Sequence, residues 1–421
     1  MIIKKPELVS PAGDWSSLYS ALEAGADSLY FGVKGLNMRN LARNFDLSEI
    51  KKVMTILHEI GKKGYLALNV IIYDKEVNKI KQILREAKKA GVDAVILWDL
   101  AVFTIAKEMG LRVHLSTQAS VANFLALKYY YQQGVKRVIL ARECSLLDIK
   151  NIITNLKKNH INCEVETFIH GAMCISISGR CLLSQYSFGK SANRGECLQP
   201  CRREFAITDA DNSQYLIGKD YLLSSKDLCT IDFIDPLIKA GISAFKIEGR
   251  IRSSEYIGIT TSVYRRAIDY FFSGKLDNVL KKELKEELTA AYNRGFCSGF
   301  YWGTPKDFLS RSLENNYEKI FIGQVKKFYK KIKVAEIKVL NESLRKNSQI
   351  LFVGKTTPAS FARVCDIQIN HKFVDILLKG QVGGVKIPFV VRSNDKIFLW
   401  QKKLSSSLSS DSGEELDYRD Y

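Results

Sequence analysis

The sequence lacks the features that define several large classes of proteins. No apolar run reaches the roughly 20 residues of a membrane-spanning helix, since the longest, residues 94–106, is shorter and is interrupted by Asp99. The first residues hold no apolar stretch of signal-peptide length. Neither the H-E-x-x-H zinc helix nor the G-x-S-x-G nucleophile elbow occurs. We therefore expect a soluble, cytoplasmic protein with no membrane partner and no standard hydrolase motif.

Composition and charge describe a large, basic, globular chain. Its 421 residues are 46% hydrophobic and 26% charged, which predicts two domains or one large barrel with an appendage. The net charge is +18, and residues 311–404 hold 19 Lys and Arg against 7 Asp and Glu. The densest basic run, which also contains aromatic residues, is Lys326, Lys327, Lys330, Lys331 and Lys333. Such a run suits a nucleic-acid backbone, although a solvated lysine-rich strand has the same composition.

The first 270 residues alternate between short apolar strands and helical patterns. A helix end, a glycine and a strand recur at 24–32, 90–98, 134–142 and 240–249, and further strands are predicted at 8–12, 65–70, 112–117 and 164–169. Helices are predicted at 14–24, 46–63, 75–89, 100–109, 122–133, 145–158 and 253–272, with Asp14 and Ser145 as N-caps. Eight such units indicate a (β/α)8 barrel of the TIM type, with a doubly wound open sheet as the alternative.

The interval between the seventh and eighth strands, residues 171–243, is far longer than an ordinary loop. It predicts a functional insertion at the carboxyl end of the barrel, above a pocket of polar strand-end residues. These are Ser10, Asn69, Asp99, Gln118, Arg142, Glu143, His170, Glu248 and Arg250. We expect the barrel to span 1–272, a helical connector 273–318, a basic antiparallel β-barrel 319–404 and a disordered acidic tail 405–421.

Five of the nine cysteines fall on this glycine-rich insertion. Cys174 and Cys181 form one close pair, Cys197 and Cys201 form a second, and Cys229 follows later. Four thiolates drawn from two pairs predict a metal centre, and their spacing leaves both zinc and an iron–sulfur cluster open. Cys229 is the rival for the fourth ligand position. The other four cysteines are interpreted as ordinary packing residues.

The cysteine segment HGAMCISISGRCLLSQYSFGKSANRGECLQPCR, residues 170–202, resembles the signature of the collagenase-like peptidases of family U32. The pieces ELVSPAGDWSSLYSALEAGADSLYFG, HLSTQAS, RVILARECSL, SSKDL, FKIEGRIRS and NRGFCSGFYWG agree in order. Residues 322–339 resemble the C-terminal barrel of this family, which is similar to the second domain of translation elongation factors. The resemblance covers nearly the whole chain except the last 17 residues.

The resemblance implies chemistry other than the family name suggests. Members of this family are linked to oxygen-independent hydroxylation of tRNA uridine, ribosomal-RNA cytidine or a quinone precursor, and they hold a [4Fe-4S] cluster on four cysteines. By motif, the ligands here are Cys174, Cys181, Cys197 and Cys201, while some relatives draw one ligand from elsewhere, which keeps Cys229 as the rival. The RNA-acting members imply prephenate, a small carboxylate, as the oxygen donor.

The function that we expect is hydroxylation of a tRNA uridine to 5-hydroxyuridine. From their strand-end positions, His170 is predicted to transfer protons, Arg250 to bind an anionic donor, and Glu248 and Gln118 to orient the reactants. The lysine run would hold the RNA backbone. The alternatives are proteolysis, hydroxylation of ribosomal RNA or a quinone precursor, and RNA binding without catalysis. A protein partner is left open.

Overall fold

Eight parallel strands form the first unit of the computed structural model, which describes residues 3–205, 207–208, 211, 214–215, 223–305, 309–310 and 315–403. The strands are β1 (Glu7–Ala12), β2 (Ser28–Phe31), β3 (Lys63–Ala67), β4 (Ala94–Leu97), β5 (Val113–Leu115), β6 (Arg137–Ile139), β7 (Glu164–Ala172) and β8 (Ala244–Ile247). Each strand pairs with its neighbour in this series, and β8 pairs with both β7 and β1. The sheet is therefore a closed barrel, which confirms the TIM-like prediction and excludes the open sheet.

The helices follow the predicted pattern closely. They are α1 (Trp15–Glu23), α2 (Ile50–Glu59), α3 (Val77–Lys89), α4 (Leu100–Glu108), α5 (Phe124–Gln132), α6 (Leu146–Lys158), α7 (Leu183–Phe188), α8 (Ile234–Ala240), α9 (Ser254–Phe272) and α10 (Asn278–Ala290). The side chains of Asp14 and Ser145 accept hydrogen bonds from amides of the first turns of α1 and α6, as N-caps do. The sequence pattern missed α8, because seven residues make only about two helical turns.

A network of buried charges crosses the inside of the barrel. Arg137 is 2% exposed, and its guanidinium lies 2.7 Å from Glu164, 2.8 Å from Glu7 and 3.1 Å from Glu166. The ammonium of Lys246 on β8 lies 2.8 Å from the same Glu166 carboxylate. Because an unpaired charge in a protein interior is very costly, these groups must be satisfied together. The network therefore fixes the barrel interior beneath the carboxyl ends of the strands.

The insertion after β7 returns to the barrel through a short extra strand. Asp227–Cys229 pairs antiparallel with the end of β7. Phe296–Cys297 pairs in parallel with the other edge of Asp227–Cys229. These two strands extend the sheet next to the end of β7. The cysteine-rich segment that precedes them is thereby carried to the carboxyl end of the barrel.

The last unit is an antiparallel sheet around its own apolar core. Its strands are β9 (Tyr317–Tyr329), β10 (Val334–Val339), β11 (Gln349–Val353), β12 (Ser360–Arg363), β13 (Ile367–Ile369), β14 (Lys372–Val374), β15 (Val382–Lys386) and β16 (Lys396–Lys402). Their order is β12-β11-β16-β9-β10-β15-β13-β14, and a separate pair joins Leu344–Arg345 to Ile376–Leu377.

This sheet confirms an antiparallel C-terminal domain and corrects one detail of the prediction. Within the described residues, no ladder joins β12 to β14, so the sheet is not closed into a barrel by hydrogen bonds. The pattern also missed β15, because two glycines in VGGVK weaken its strand signal. The predicted tail at 405–421 lies outside the described residues. No helix in the described ranges has both the length and the apolar character that crossing a bilayer requires.

Candidate functional site

A cavity of about 190 Å³ lies at the carboxyl ends of the barrel strands. Its walls include Tyr30 of β2, Phe168 of β7 and Lys246 of β8, together with residues of the loops that follow the strands. In (β/α)8 enzymes this end of the barrel carries the active site, because the loops from all eight strands meet there. The insertion supplies the other wall, so the cavity lies between the barrel and the cysteine-rich segment.

Two polar contacts and one close backbone approach hold the insertion in place. The carboxylate of Glu143 accepts hydrogen bonds from the amide and hydroxyl of Ser178, at 2.7 and 3.0 Å. Arg194 donates to Glu76 at 2.8 Å. Gly195 has a φ of +81° and packs so closely on the loop after β2 that a Cβ atom would lie 2.0 Å from a backbone oxygen. Glu143, predicted as a pocket residue, is therefore an anchor for the insertion.

The four signature cysteines all line this cavity. They are Cys174, Cys181, Cys197 and Cys201, and none is joined in a disulfide. Burial raises the pKa of Cys197 and of Cys201, and the charges of neighbouring signature thiols raise both pKa values further. The four sulfurs therefore lie within electrostatic reach of one another. Thiolates gathered in this way repel one another unless a cationic centre binds them.

Zinc and an iron–sulfur cluster, the two centres that the cysteine spacing leaves open, require different arrangements of the four sulfurs. In the described part of the chain, no three or more His, Cys, Asp or Glu side chains form a group that could hold one metal ion. Zinc requires its ligands to converge on one point at about 2.3 Å from each sulfur. A four-iron cluster instead spreads four thiolates over separate irons. Four cysteines around one cavity are a donor set of the kind that an iron–sulfur cluster takes.

The rival ligand, Cys229, lies apart from this group. Its thiol is 4% exposed, it does not line the cavity, and the hydroxyl of Tyr264 donates to its sulfur at 3.8 Å. Its residue sits opposite His170 in the strand pairing beyond β7. Burial raises the pKa of Cys229 to about 11. This geometry favours Cys201 as the fourth ligand.

Glu248 lies in the cavity wall among arginines. Its carboxylate is 3.0 Å from Arg39 and 3.7 Å from Arg142. Burial raises the pKa of Glu248, but the positive charges of Arg39, Arg142 and Arg250 outweigh burial and lower the pKa to about 2. Glu248 is therefore an ionised anchor that orients guanidinium groups at neutral pH.

Arg250 has the character of an anion-binding group. It is 4% exposed, lines the cavity and donates from Nη1 to the Asn37 side chain at 3.0 Å. Its Nε is buried without a hydrogen-bond partner among the described residues. Burial lowers the pKa of Arg250 to about 10, so the group remains charged at neutral pH. A buried, charged guanidinium with an unused donor is suited to a carboxylate or phosphate ligand.

Gln118 also lines the cavity and is held in one orientation. Its side-chain oxygen accepts hydrogen bonds from the hydroxyl of Ser116 and from the amide of Asn69 at 3.3 Å. Two other predicted pocket residues instead stabilise the fold. Ser10 shares a buried hydrogen bond with Thr261, and Asp99 caps α4.

His170 requires a correction. It is 2% exposed and is not among the residues that line the cavity, because the side chain lies beside Tyr256, Tyr264 and Phe296. Burial lowers its pKa to about 3, so the imidazole is neutral over the physiological range. A neutral imidazole buried outside the cavity wall does not favour the proton-transfer role that its strand-end position suggested.

The structure adds cationic residues that the sequence pattern did not identify. Arg39, Lys246, Arg252 and Arg294 line the cavity. Arg39 lies in the loop after β2, and Lys246 is inside β8. Lys246 and Arg252 fall within the piece FKIEGRIRS, and Arg294 falls within NRGFCSGFYWG, which is the sequence signal that could have pointed to them.

The predicted RNA-binding lysines lie on one hairpin of the C-terminal sheet. Lys326 and Lys327 are at the end of β9, Lys330, Lys331 and Lys333 are in the turn to β10, and all five are exposed. The ammonium of Lys327 also lies over the ring of Tyr329 at 5.0 Å. The hairpin therefore presents positive charge and an aromatic face to solvent.

Residues 13–310, which contain the cysteine-rich insertion and all strands of the barrel except β1, match the family model described as Peptidase family U32. The chain belongs to this family. An uncharacterized protease of Methanocaldococcus jannaschii is 44% identical over 94% of this chain and 99% of that protein. A collagenase of Porphyromonas gingivalis is 35% identical over 94% and 98%, respectively. The tRNA hydroxylation protein P1 of Bacillus subtilis is 33% identical over 84% and 85%. The U32 relatives are thus named for two different activities.

Proposed function

We propose that this protein is an iron–sulfur enzyme that hydroxylates a base in RNA without molecular oxygen, most specifically a tRNA uridine. The observation that carries the proposal is the position of Cys174, Cys181, Cys197 and Cys201 around a cavity rich in arginine. The similarity to a tRNA hydroxylation protein over 84% of the chain supports the same reaction class. Prephenate is the candidate for the carboxylate that supplies oxygen.

Different cavity residues bind the anionic co-substrate and orient the reactants. A [4Fe-4S] cluster on the four cysteines would supply electron transfer or bind a carboxylate oxygen. Arg250 offers its unpartnered donor to the anionic co-substrate. Glu248 holds Arg39 and Arg142 in the wall, and Gln118 presents its amide to the reactants. The exposed lysine hairpin binds the RNA backbone beyond the cavity.

Two measurements test the proposal. An anaerobic absorption spectrum with iron and sulfide analysis should show a brown protein with about four irons and four sulfides, and a colourless zinc protein would refute the cluster. Mass spectrometry of tRNA nucleosides with and without the gene should show loss of 5-hydroxyuridine. An unchanged tRNA profile with loss of a ribosomal-RNA hydroxycytidine or of a quinone would show that the substrate is ribosomal RNA or a quinone precursor instead of tRNA.

Proteolysis is the second candidate, because a collagenase is 35% identical over 94% of the chain. The cavity gives it little support, since no histidine is among the described residues that line it. A serine or cysteine nucleophile needs a base within hydrogen-bond reach. Cleavage of gelatin by the purified protein, abolished by E248Q or R250Q, would establish proteolysis instead.

A further inference from the structure

A second arginine cluster lines the cavity, separate from the group around Glu248. It consists of Arg202, Arg252 and Arg294, and a single carboxylate, Asp227, lies behind it. Asp227 is 1% exposed, and its oxygens are 3.6 Å from Arg252 and 3.5 Å from Arg294. One carboxylate among three guanidinium groups leaves two positive charges. A cluster with this excess, facing a cavity, is suited to an anionic ligand.

The three arginines have different roles. Arg202 uses its donors within the fold, on the Ser224 hydroxyl at 2.8 Å, the Met173 carbonyl at 2.6 Å and the Ser225 hydroxyl at 3.2 Å. It therefore ties the insertion to the segment before the extra strand Asp227–Cys229. Arg252 and Arg294 make longer contacts with Asp227, which leaves them available to a ligand.

One aromatic ring and one carboxylate contact both of the available guanidinium groups. Arg252 and Arg294 lie over the ring of Tyr292, at 4.1 and 5.1 Å from its centre. Both are largely buried, with side chains 18% and 12% exposed. Neither oxygen of Asp227 accepts a hydrogen bond from the described residues, although the carboxylate is almost fully buried. Asp227 therefore attracts both arginines mainly through charge, at 3.6 and 3.5 Å.

The neighbouring surface favours a nucleotide over a small acid. Ile251 separates Arg250 from Arg252 in sequence, lines the cavity and is 48% exposed. Leu41 and Ile175 also line the cavity and are 54% and 40% exposed. A base can pack on such apolar side chains while its phosphate binds adjacent arginines. Phosphate contacts of this kind set the register of a bound strand.

We propose that Arg252 and Arg294 together bind one phosphodiester group of an RNA strand whose adjacent base enters the cavity, with Asp227 as the positioning residue for both arginines. This inference rests on the proposed function and names the part of the site that meets the RNA backbone. The Glu248 side of the cavity, with Arg250, is left for the carboxylate co-substrate.

The first experiment measures the salt dependence of RNA binding. The probe is a hairpin RNA with a seven-nucleotide, uridine-containing loop, and binding to the full-length holoprotein is followed by anisotropy. For the double variant R252Q/R294Q, the magnitude of the slope of log K against log salt should fall by about 0.7, the value for one contact to a single strand. Each single variant should lose less of the slope, because the remaining arginine still contacts the same phosphate. R85Q, an exposed arginine of α3, is the matched control and should leave the slope unchanged.

The second experiment changes the RNA and leaves the protein intact. Neutral methylphosphonates are placed one at a time along the loop. One linkage beside the target uridine should lower the magnitude of the wild-type slope by about 0.7, and R252Q/R294Q should be insensitive to that substitution. D227N should weaken hairpin binding although it makes the protein more positive, because the arginines lose their common anchor. Thermal melting of each variant confirms that it is folded.

The outcomes separate this inference from the proposed function. A hairpin that binds R252Q/R294Q with an unchanged slope overturns the phosphate subsite and leaves RNA hydroxylation standing. Tighter binding by D227N overturns the positioning role. Altered slopes in the variants without any sensitive linkage show an indirect effect and overturn the subsite. A wild-type holoprotein that does not bind the hairpin overturns both proposals.

Discussion

Arg137 illustrates how single residues stabilise the barrel interior. It is 2% exposed and meets three carboxylates, including the fully buried Glu166. We expect R137M to lower the free energy of unfolding by about 3–5 kcal/mol, because it leaves buried carboxylates without a partner. R266M is the matched control, since the Arg266–Glu287 pair is exposed and should cost less than about 1 kcal/mol. Urea unfolding measures both, and equal losses would contradict a network that depends on burial.

Glu248 makes stability depend on pH. Its pKa is about 2 in the folded protein, below the ordinary 4.5, so the unfolded chain takes up the proton first as the pH falls. The stabilisation from Glu248 is therefore complete above about pH 5 and disappears as the pH falls from 4.5 towards 2. We expect E248Q to lower the free energy of unfolding by roughly 3 kcal/mol at pH 7 and by progressively less below pH 4.5.

Urea unfolding of wild type and E248Q from pH 7 to pH 3 measures this dependence. The matched control is E59Q, because Glu59 is exposed on α2 and its loss should change stability by less than about 0.5 kcal/mol. If the difference between wild type and E248Q stayed constant across this range, the ionised carboxylate would not be its source.

At the scale of elements, the proposed cluster is expected to hold the cysteine-rich insertion in place. Between β7 and Asp227–Cys229, the described helices are short, and α7 has only six residues. Removal of iron by an anaerobic chelator should therefore loosen residues 173–205 while the barrel keeps its structure. Trypsin should then cut after Arg180 or Lys190, and far-ultraviolet circular dichroism should change little.

Two cysteine variants sharpen this prediction. C197S should be cut by trypsin even without chelator, because it removes a cavity-lining thiol. C365S should behave as wild type, since Cys365 is exposed in the C-terminal domain. Identical cleavage of the untreated and chelated proteins would show that the insertion is stable by itself.

At the scale of the whole molecule, the positive charge of the lysine hairpin on the C-terminal sheet is expected to strengthen RNA binding at the barrel cavity. Simultaneous replacement of Lys326, Lys327, Lys330, Lys331 and Lys333 by Gln should lower the salt slope of RNA binding by about 0.7 for each phosphate that these lysines neutralise. The cluster absorbance should be unchanged, because the two domains have separate apolar cores. The control K79Q/R85Q/K88Q/K89Q on α3 should have little effect. Equal reductions of the slope in both sets would indicate a response to net charge alone.

Much of the fold could be predicted from local sequence. Residues 24–32 and 90–98 show why: a glycine ends the helix and an apolar run forms the next strand, and both preferences act over a few residues. Eight such units are the number that closes a (β/α)8 barrel, which is why the barrel could be predicted. The short helix α8 and the glycine-containing strand β15 were missed, since each has too weak a pattern to detect.

The sequence by itself determined the alternation of strands and helices, the insertion and the cysteine spacing, because these features depend on residues that are close together along the chain. Only the tertiary structure decided which side chains meet. The strand pairing after β7 buries His170 and turns Cys229 away from the cavity, whereas Cys201 lines it. Arg39 and Arg294 join one cavity from positions more than 250 residues apart. These contacts depend on barrel closure and loop packing, which bring together residues that are far apart in the sequence.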